Sequence, residues 1–324
     1  MDLTSKIARK WSQIANYGRT QELQKRISES RESSKKNSYK ENPKLSLILQ
    51  FFNKRQNIKS IIEALRLTTA EEIIIIDDGS RDGSYEDWIK YLERPNDFLL
   101  RCNDLFEVRT YDRAISMARG EFICLLQDDD IPPRNNTWIE QALTLFDSLP
   151  DLLILGGRSA VDFLMPDPVD PNKPSEYERI GDIGGCPGVN KHRIYDTPLY
   201  REPTSGIPFM FATSANRAPT IIKRKPFLEL GGINQEYAPF QFDDDDACVR
   251  AWLAGYQVGL YACPFVRDVG TGGMRLFNSN RVPEQAAINA KKFYDAYSKH
   301  IVNGYLQKLV DSANAGLIYK KEQM

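Results

Sequence analysis

The sequence predicts an α/β domain built on a mostly parallel sheet flanked by helices. From residue 45 onward, short apolar runs alternate with amphipathic stretches, which is the pattern of strands that alternate with packed helices. Two of the apolar runs end directly in clusters of acidic residues. Of the 324 residues, 41% are hydrophobic, so the chain can bury the core that such a domain needs.

The first half of the chain sets out these elements in order. Apolar runs predict strands at residues 45–51, 72–76, 98–102, 122–126 and 152–155. Apolar residues at a spacing near 3.6 predict helices between the strands, at residues 58–67, 85–92, 108–118 and 138–149.

The second half is less regular. Residues 157–207 contain many Pro and Gly, and irregular chain of this length is typical of a functional loop. Regular structure is predicted again after this segment. Apolar segments stand at residues 208–212 and 220–222, a helix starts at Asp243, a strand is predicted at residues 258–262, and C-terminal helices follow Pro283. The predicted organisation has four parts, residues 1–43, 44–150, 151–282 and 283–324.

The N-terminal segment, residues 1–43, is polar and basic. Leu3, Ile7 and Trp11 stand at helical spacing before a Ser/Lys-rich stretch, which predicts an amphipathic helix and a linker. Two interpretations stay open, a solvated helix or a contact with a membrane surface or a partner protein through residues 1–30. No apolar run reaches roughly 18 residues and no signal-peptide layout is present. A cytoplasmic location is therefore predicted, peripheral at most on the cytosolic membrane face.

Charge and cysteine content exclude several classes of protein. The formal net charge of −1 provides no general field that attracts nucleic acid, so no nucleic-acid partner is expected. The five cysteines are odd in number and widely spaced. They predict neither a disulfide framework nor a zinc site.

The first acidic pair follows a run of four isoleucines, residues 73–76. Asp77 and Asp78 come directly after this run, and Gly79 and Ser80 follow them. Ligands of open α/β sheets lie at the carboxyl ends of strands, where carboxylates can accept hydrogen bonds from a nucleotide base and ribose. The alternative is an Asp-Gly turn that caps the next helix. No GxGxxG follows a strand, which argues against a dinucleotide-binding dehydrogenase.

The second acidic group is Asp128, Asp129 and Asp130, which follows the predicted strand at residues 122–126. Three adjacent carboxylates repel one another unless a cation lies among them. Mg²⁺ or Mn²⁺, held by one or two carboxylates together with diphosphate oxygens, would relieve this repulsion. The alternative is a solvated acidic turn before Pro132.

The third acidic group, residues 243–246, is a run of four Asp that opens a predicted helix. One or two acids at a helix N-terminus are explained by capping and by the helix dipole. Four acids exceed that need, and one of them could act as a carboxylate general base.

These segments, in this order, resemble the family 2 glycosyltransferases of the GT-A fold over about residues 44–268. The motifs that carry the resemblance are Gln50-Phe51-Phe52-Asn53, Asp77-Asp78-Gly79-Ser80, Ala118-Arg119-Gly120-Glu121-Phe122-Ile123, Gln127-Asp128-Asp129-Asp130, Gly231-Gly232-Ile233 and Asp243-Asp244-Asp245-Asp246-Ala247-Cys248-Val249-Arg250.

The resemblance implies a Rossmann-like GT-A sheet and metal-dependent transfer of a sugar from a nucleotide sugar, a UDP-sugar, to a hydroxyl of a glycan or glycoconjugate. The irregular segment then becomes a lid on the side of the sugar acceptor. The donor contacts that it implies are Phe51, Asn53, Asp77, Asp78, Arg109 and Asp128.

The same resemblance implies a metal site and a base. Asp129 and Asp130 correspond to the metal motif, and Asp244 to the general base, with Asp243 as the runner-up. Gln127 stands where the commoner pattern has an acid, which leaves open the choice of the metal-binding carboxylate. Some members use a late histidine as a further ligand, and Asp268 stands near that position.

Two other functions compete with this interpretation. A sugar nucleotidyltransferase also binds a nucleotide and Mg²⁺, but it normally carries a Gly-rich loop after the first strand, and residues 53–57 contain no glycine. The other is a nucleotide-sugar-binding module without catalytic activity.

Overall fold

The structure, a computed structural model, describes residues 40–159, 200–267 and 281–319 together with Gln21 and Lys25. Two compact units are present, residues 1–41 with 93–96, and residues 42–92 with 97–324. In the first unit, the side-chain amide of Asn96 donates to the carbonyl of Lys40 at 2.8 Å. Apart from the two isolated residues, the predicted N-terminal helix lies outside the described residues.

The second unit contains one large sheet. Its strands are β1 (Leu45–Phe51), β2 (Glu72–Asp77), β3 (Asp97–Arg101), β4 (Phe122–Gln127), β6 (Leu152–Ser159), β8 (Phe209–Phe211), β9 (Ala215–Lys223) and β10 (Gln257–Tyr261). Two-residue strands form two small ladders, in which β5 (Asp130–Ile131) pairs with β11 (Val266–Arg267) and β7 (Tyr200–Arg201) pairs with β12 (Ile318–Tyr319).

Helices surround the strands along the chain. They are α1 (Arg55–Arg66), α2 (Ser84–Tyr91), α3 (Phe106–Met117), α4 (Thr137–Ser148), α5 (Arg224–Glu229), α6 (Asp243–Leu253), α7 (Arg281–Val302) and α8 (Tyr305–Asn314), with a short 3-10 helix at Gln235–Tyr237. In the described part of the chain, no helix is both long and apolar enough to cross a bilayer.

The strand order of the sheet is β3-β2-β1-β4-β9-β6-β10-β8. Strands β3, β2, β1 and β4 are mutually parallel, and β6 is parallel to β10. Strand β9 lies antiparallel between β4 and β6, and β8 is antiparallel to β10. The predicted mostly parallel sheet with flanking helices is confirmed.

The centre of the sheet is covered on both faces, and its sequence shows why. All four isoleucines of β2 are at most 1% exposed, as expected of a parallel strand buried on both sides. Phe51 at the end of β1 packs edge-on against Trp88 of α2, with ring centroids 5.3 Å apart. This packing holds the end of β1 against α2.

In the second half of the chain, three predicted boundaries are wrong by two or more residues. The irregular segment does not begin at residue 157, because β6 continues to Ser159. Gly157 allows this, since a Cβ there would lie 2.5 Å from the Pro219 side chain. Strand β9 is longer than the predicted residues 220–222. Helix α7 begins before Pro283, which occupies its first turn, where the missing N–H needs no partner. The rest of the predicted lid, residues 160–199, lies outside the described residues.

Candidate active site

The first two acidic groups lie at the ends of strands that finish at one edge of the sheet. Phe51, the last residue of β1, is in register with Asp77 of β2. Gln50 is in register with Gln127, the last residue of β4. Since the three strands are parallel, Asp77 and the acids after Gln127 lie at the same carboxyl edge, as the sequence predicts.

Asp77 has one satisfied and one unsatisfied carboxylate oxygen. Its Oδ1 accepts hydrogen bonds from the main-chain N–H groups of Gly79 at 3.0 Å and Ser80 at 2.8 Å. Its Oδ2 is buried and accepts no hydrogen bond from the described residues. A buried acceptor without a donor is costly. An N–H or O–H of a ligand that reached this oxygen would satisfy it.

Asp78 is engaged by the protein itself. Its carboxylate oxygens accept hydrogen bonds from the N–H groups of Leu105 and Phe106, each at 2.8 Å. These N–H groups lie at the start of α3, where helical donors have no partner within the helix. Asp78 therefore caps α3, and not α2, the next helix along the chain, which the alternative interpretation had it cap.

Asn53 links the ends of β1 and β2. Its main-chain N–H donates to Ser80 Oγ at 3.0 Å, and its side-chain oxygen accepts from the N–H of Arg81 at 2.8 Å. Phe51 has a fully buried ring, so the structure places this side chain in the core. Arg109 is exposed on α3. The donor contacts assigned to these residues stay predictions.

Asp128 is surrounded by donors from the turn after β1. Its Oδ2 accepts from the N–H of Phe52 at 2.8 Å, and its Oδ1 lies 2.5 Å from the ammonium of Lys54. Its carbonyl accepts from the side chain of Asn57 at 2.9 Å. Burial alone would lower the pKa of Lys54, but the carboxylates of Asp128 and Asp129 raise it above its ordinary value. Lys54 is therefore a buried cation of the acidic cluster, which the sequence interpretation missed.

Asp129 and Asp130 differ in exposure. The Asp129 side chain is 16% exposed, whereas Asp130 is 1% exposed and lies in β5 opposite Arg267. Within residues 40–159, 200–267 and 281–319, no three His, Cys, Asp or Glu side chains form a metal-binding group. One carboxylate with diphosphate oxygens and water suits Mg²⁺, which is seldom held by protein ligands alone. Asp268 lies outside the described residues.

The four acids that open α6 have different partners. Asp243 forms two hydrogen bonds with the Arg217 guanidinium, at 2.7 and 3.2 Å. Asp245 accepts from Ser214 Oγ at 2.6 Å. Asp246 accepts hydrogen bonds from the side chains of Arg250 and Tyr297, at 2.7 Å each. These three acids are buried and are held by the fold.

Asp244 differs from its three neighbours. It is half-buried, and with Arg217 and Asp243 it borders a small cavity whose other walls are mostly apolar side chains of the core. Burial, followed by the negative charge of Asp243, raises the pKa of Asp244 to about 6, against the opposing effect of Arg217. A carboxylate with such a pKa is ionised near neutral pH and yet accepts a proton more readily than an ordinary Asp.

Helix α7 fixes the turn that leads into α6. The buried side-chain amide of Asn289 lies within donating distance of three carbonyls of this turn, those of Tyr237, Phe240 and Gln241, at 2.8, 2.8 and 3.1 Å. Gln241 and Phe242 have φ values of 70° and 66°. Such values are unfavourable for non-glycine residues and persist only where the surroundings impose them.

Arg217 and Glu107 complete the site, and the sequence interpretation missed both. Glu107 lies 3.3 Å from the Arg217 guanidinium, which also lies 4.8 Å from the centroid of the Tyr111 ring. Burial raises the pKa of Glu107 to about 7, Arg217 opposes this, and the charges of Asp243, Asp244 and Asp129 add to it. Glu107 is thus within electrostatic range of both acidic groups. The signal in the sequence was an arginine within the otherwise apolar segment of β9.

Replacement of Arg217 by Met is expected to lower the free energy of unfolding by about 3–5 kcal/mol, because Asp243 would remain buried without its partner. Urea unfolding followed by circular dichroism measures this change. The control is Arg134→Met, because Arg134 pairs with Glu63 on the surface and such pairs contribute about 0–1 kcal/mol. Equal losses in the two variants would contradict the structural role of Arg217.

Comparison with known proteins agrees with this fold. The sequence model of the family described as "Glycosyl transferase family 2" matches residues 46–179. "Putative glycosyltransferase EpsH" of Bacillus subtilis (strain 168) is 35% identical over 105 residues, which are 31% of this chain and 28% of that protein. "Uncharacterized protein y4gI" of Sinorhizobium fredii (strain NBRC 101917 / NGR234) is 23% identical over 228 residues, which are 66% of this chain and 23% of that protein. The chain thus matches about a quarter of the length of these relatives.

Two solved structures share the fold at low sequence identity. TarS 1-349 of S. aureus in complex with UDP-GlcNAc has a TM-score of 0.51 at 15% identity, over 76% of this chain and 64% of that one. GalNAc-T7 with UDP, GalNAc and Mn²⁺ has a TM-score of 0.56 at 15% identity, over 80% of this chain and 50% of that one.

The fold and the sequence matches together define a glycosyltransferase domain of the GT-A class. The family is glycosyltransferase family 2, to which the domain at residues 46–179 belongs. The resemblance predicted from the sequence motifs is confirmed.

Proposed function

We propose that this protein transfers a sugar from a nucleotide-diphosphate sugar, a UDP-sugar, to a hydroxyl of a glycan or glycoconjugate, with inversion at the anomeric carbon. The observation that carries this proposal is the partial exposure of Asp244, in contrast to the other three acids at the start of α6. Asp244 is half-buried where the other three are buried, and burial together with the charge of Asp243 raises its pKa to about 6. The UDP ligands named for the two similar structures support the choice of nucleotide.

On the donor side, Asp77 and Asp129 take different tasks. The buried Oδ2 of Asp77 without a partner in the described residues supports a hydrogen bond from the base or ribose. The partly exposed Asp129 would hold Mn²⁺ or Mg²⁺, and the buried Asp130 would be the second carboxylate of this metal site. When bound, such an ion neutralises charge on the departing diphosphate. Mn²⁺ in the structure of GalNAc-T7 supports this assignment.

On the side of the sugar acceptor, Asp244 takes the proton of the attacking hydroxyl. The hydroxyl oxygen forms a bond to the anomeric carbon while the bond to the diphosphate oxygen breaks, and the proton passes to the carboxylate. Arg217 keeps Asp243 paired, so the charge beside Asp244 is fixed. A single displacement inverts the configuration, whereas retention needs a nucleophile on the opposite face of the sugar.

Mass spectrometry of reactions with a panel of nucleotide sugars and glycan acceptors tests this proposal. The expected result is release of the nucleoside diphosphate together with a glycosylated product. Formation of a nucleoside triphosphate from a nucleotide sugar and pyrophosphate would instead identify a nucleotidyltransferase. Binding of a nucleotide sugar without turnover of any donor would identify a catalytically inactive module.

Replacement of both Asp77 and Asp78 by Ala is expected to weaken UDP binding, measured by calorimetry. The first substitution removes the unsatisfied buried acceptor, and the second removes the capping contacts at the start of α3. Because a capping defect alone could disturb the site, the single variant Asp77→Asn is the matched control for nucleotide recognition. Unchanged UDP affinity in both variants would indicate that Asp77 and Asp78 have only a capping role and do not bind the nucleotide.

A further inference from the structure

A lysine occupies a cation position within the acidic group that follows β4. The Lys54 side chain is 5% exposed, and its ammonium lies 2.5 Å from Asp128 Oδ1 and 3.7 Å from Asp129 Oδ2. The charge of Asp130 also acts on this ammonium. The repulsion among three adjacent carboxylates is therefore relieved in part by the chain itself.

The turn after β1 keeps this ammonium in place. Lys54 immediately precedes α1, and its neighbours Phe52 and Asn57 donate hydrogen bonds to the carboxylate and the carbonyl of Asp128. Asn57 is itself buried. The turn and the end of β4 thus hold each other at three points, so Lys54 is fixed by its surroundings as well as by its charge.

A fixed ammonium near Asp129 opposes a divalent cation at the same carboxylate. At separations of about 4 Å, two charges near a protein surface still interact strongly, on the order of several RT. A nucleotide diphosphate brings negative oxygens that attract the cation and offset this repulsion. Metal and diphosphate are then expected to bind with positive coupling.

We propose that Lys54 is a resident counter-cation of the acidic group, which keeps Asp129 from binding a divalent metal until the diphosphate of the donor arrives. The inference rests on the proposed function, because it takes Asp129 as the metal ligand. Binding of metal is thereby tied to binding of donor, so donor-free protein holds little metal at Asp129.

Titration of the intact protein with Mn²⁺, followed by the electron paramagnetic resonance of free Mn²⁺, tests this inference without any assay of turnover. The natural protein is expected to bind Mn²⁺ weakly alone and more tightly with UDP. Lys54→Met is expected to bind Mn²⁺ without UDP at least about tenfold more tightly, because the opposing charge is gone. Lys54→Arg, which retains the charge, should resemble the natural protein. Lys59→Met is the control, because Lys59 is an exposed residue of α1, the helix that follows Lys54.

A second variant guards against misfolding, since Lys54→Met leaves Asp128 buried without its ion pair. Lys54→Gln also removes the ammonium charge but leaves an amide that can donate a hydrogen bond to Asp128, and it should show the same gain of at least about tenfold. Tight Mn²⁺ binding by the natural protein without UDP, or no gain in either variant while UDP-dependent binding persists, would overturn this inference alone. Absence of Mn²⁺ binding even with UDP would overturn the metal assignment of the proposed function, and this inference with it.

Discussion

Replacement of Asp244 by Asn is expected to reduce transfer by a factor on the order of 10² or more while UDP affinity is retained. Asparagine keeps the size of the side chain but cannot take a proton from the attacking hydroxyl. Donor binding is assigned to other residues, Asp77 and Asp129, and should not change. Steady-state rates with a saturating donor, together with calorimetry of UDP, separate the two effects.

The neighbouring acids provide the controls for this result. Successive residues of a helix point about 100° apart, so the four acids cannot all face the sugar. Asp245→Asn should have a mild effect on transfer, since Asp245 is buried against Ser214. Asp243→Asn should chiefly lower stability, because it weakens the pair with Arg217. A large loss of transfer in Asp243→Asn, with fold and donor binding intact, and none in Asp244→Asn would contradict the assignment.

The pH dependence of the rate follows from the same residue. The pKa of Asp244 is raised to about 6, and a general base acts only in its ionised form. The rate of the natural protein should therefore rise as pH increases through about 6 and then level off. The residual rate of Asp244→Asn should lack this step.

Replacement of Asp129 by Asn is expected to abolish transfer, and EDTA should do the same to the natural protein. Both changes remove the cation that neutralises the departing diphosphate. Addition of Mn²⁺ or Mg²⁺ in excess over EDTA should restore the natural protein but not the variant. Rates of nucleotide release with and without EDTA provide the measurement.

A matched acid at the opposite edge of the sheet controls for this substitution. Asp151 is exposed and precedes β6. Because β6 runs parallel to β4, its start lies at the edge away from the candidate site. Asp151→Asn should leave transfer unchanged. Full activity of the natural protein in EDTA would contradict the metal assignment, whatever the variant shows.

The sequence was informative about the fold where strands are buried on both faces. The apolar runs of β2 and β4 are continuous, and that of β1 is interrupted only by Ser46 and Gln50. The positions of these strands were therefore predicted to within about a residue. Strand β9 was only partly predicted, because Asn216, Arg217 and Pro219 interrupt its apolar pattern. Its polar positions are explained by the site, since Arg217 pairs with Asp243.

The acids at the strand ends could be predicted because parallel strands bring their carboxyl ends together. The residues that hold the acidic groups in place could not be predicted, since Lys54, Arg217 and Asn289 come from distant segments and belong to no motif. The four acids on α6 differ in burial and in hydrogen-bond partners, and these differences likewise depend on residues of other elements, such as Arg217 of β9 and Tyr297 of α7. The family resemblance predicted Asp244 as the base, but the difference in burial could be found only in the packed structure, where Asp244 is half-buried and the three acids beside it are buried.

The anomeric configuration of the new glycosidic linkage, measured by proton NMR of the product, tests the central claim most directly. Transfer by single displacement with Asp244 as the base predicts a new linkage whose configuration is opposite to that of the sugar in the nucleotide donor. The same configuration in donor and product would contradict the account, because retention requires a second group at the anomeric carbon that this mechanism does not use.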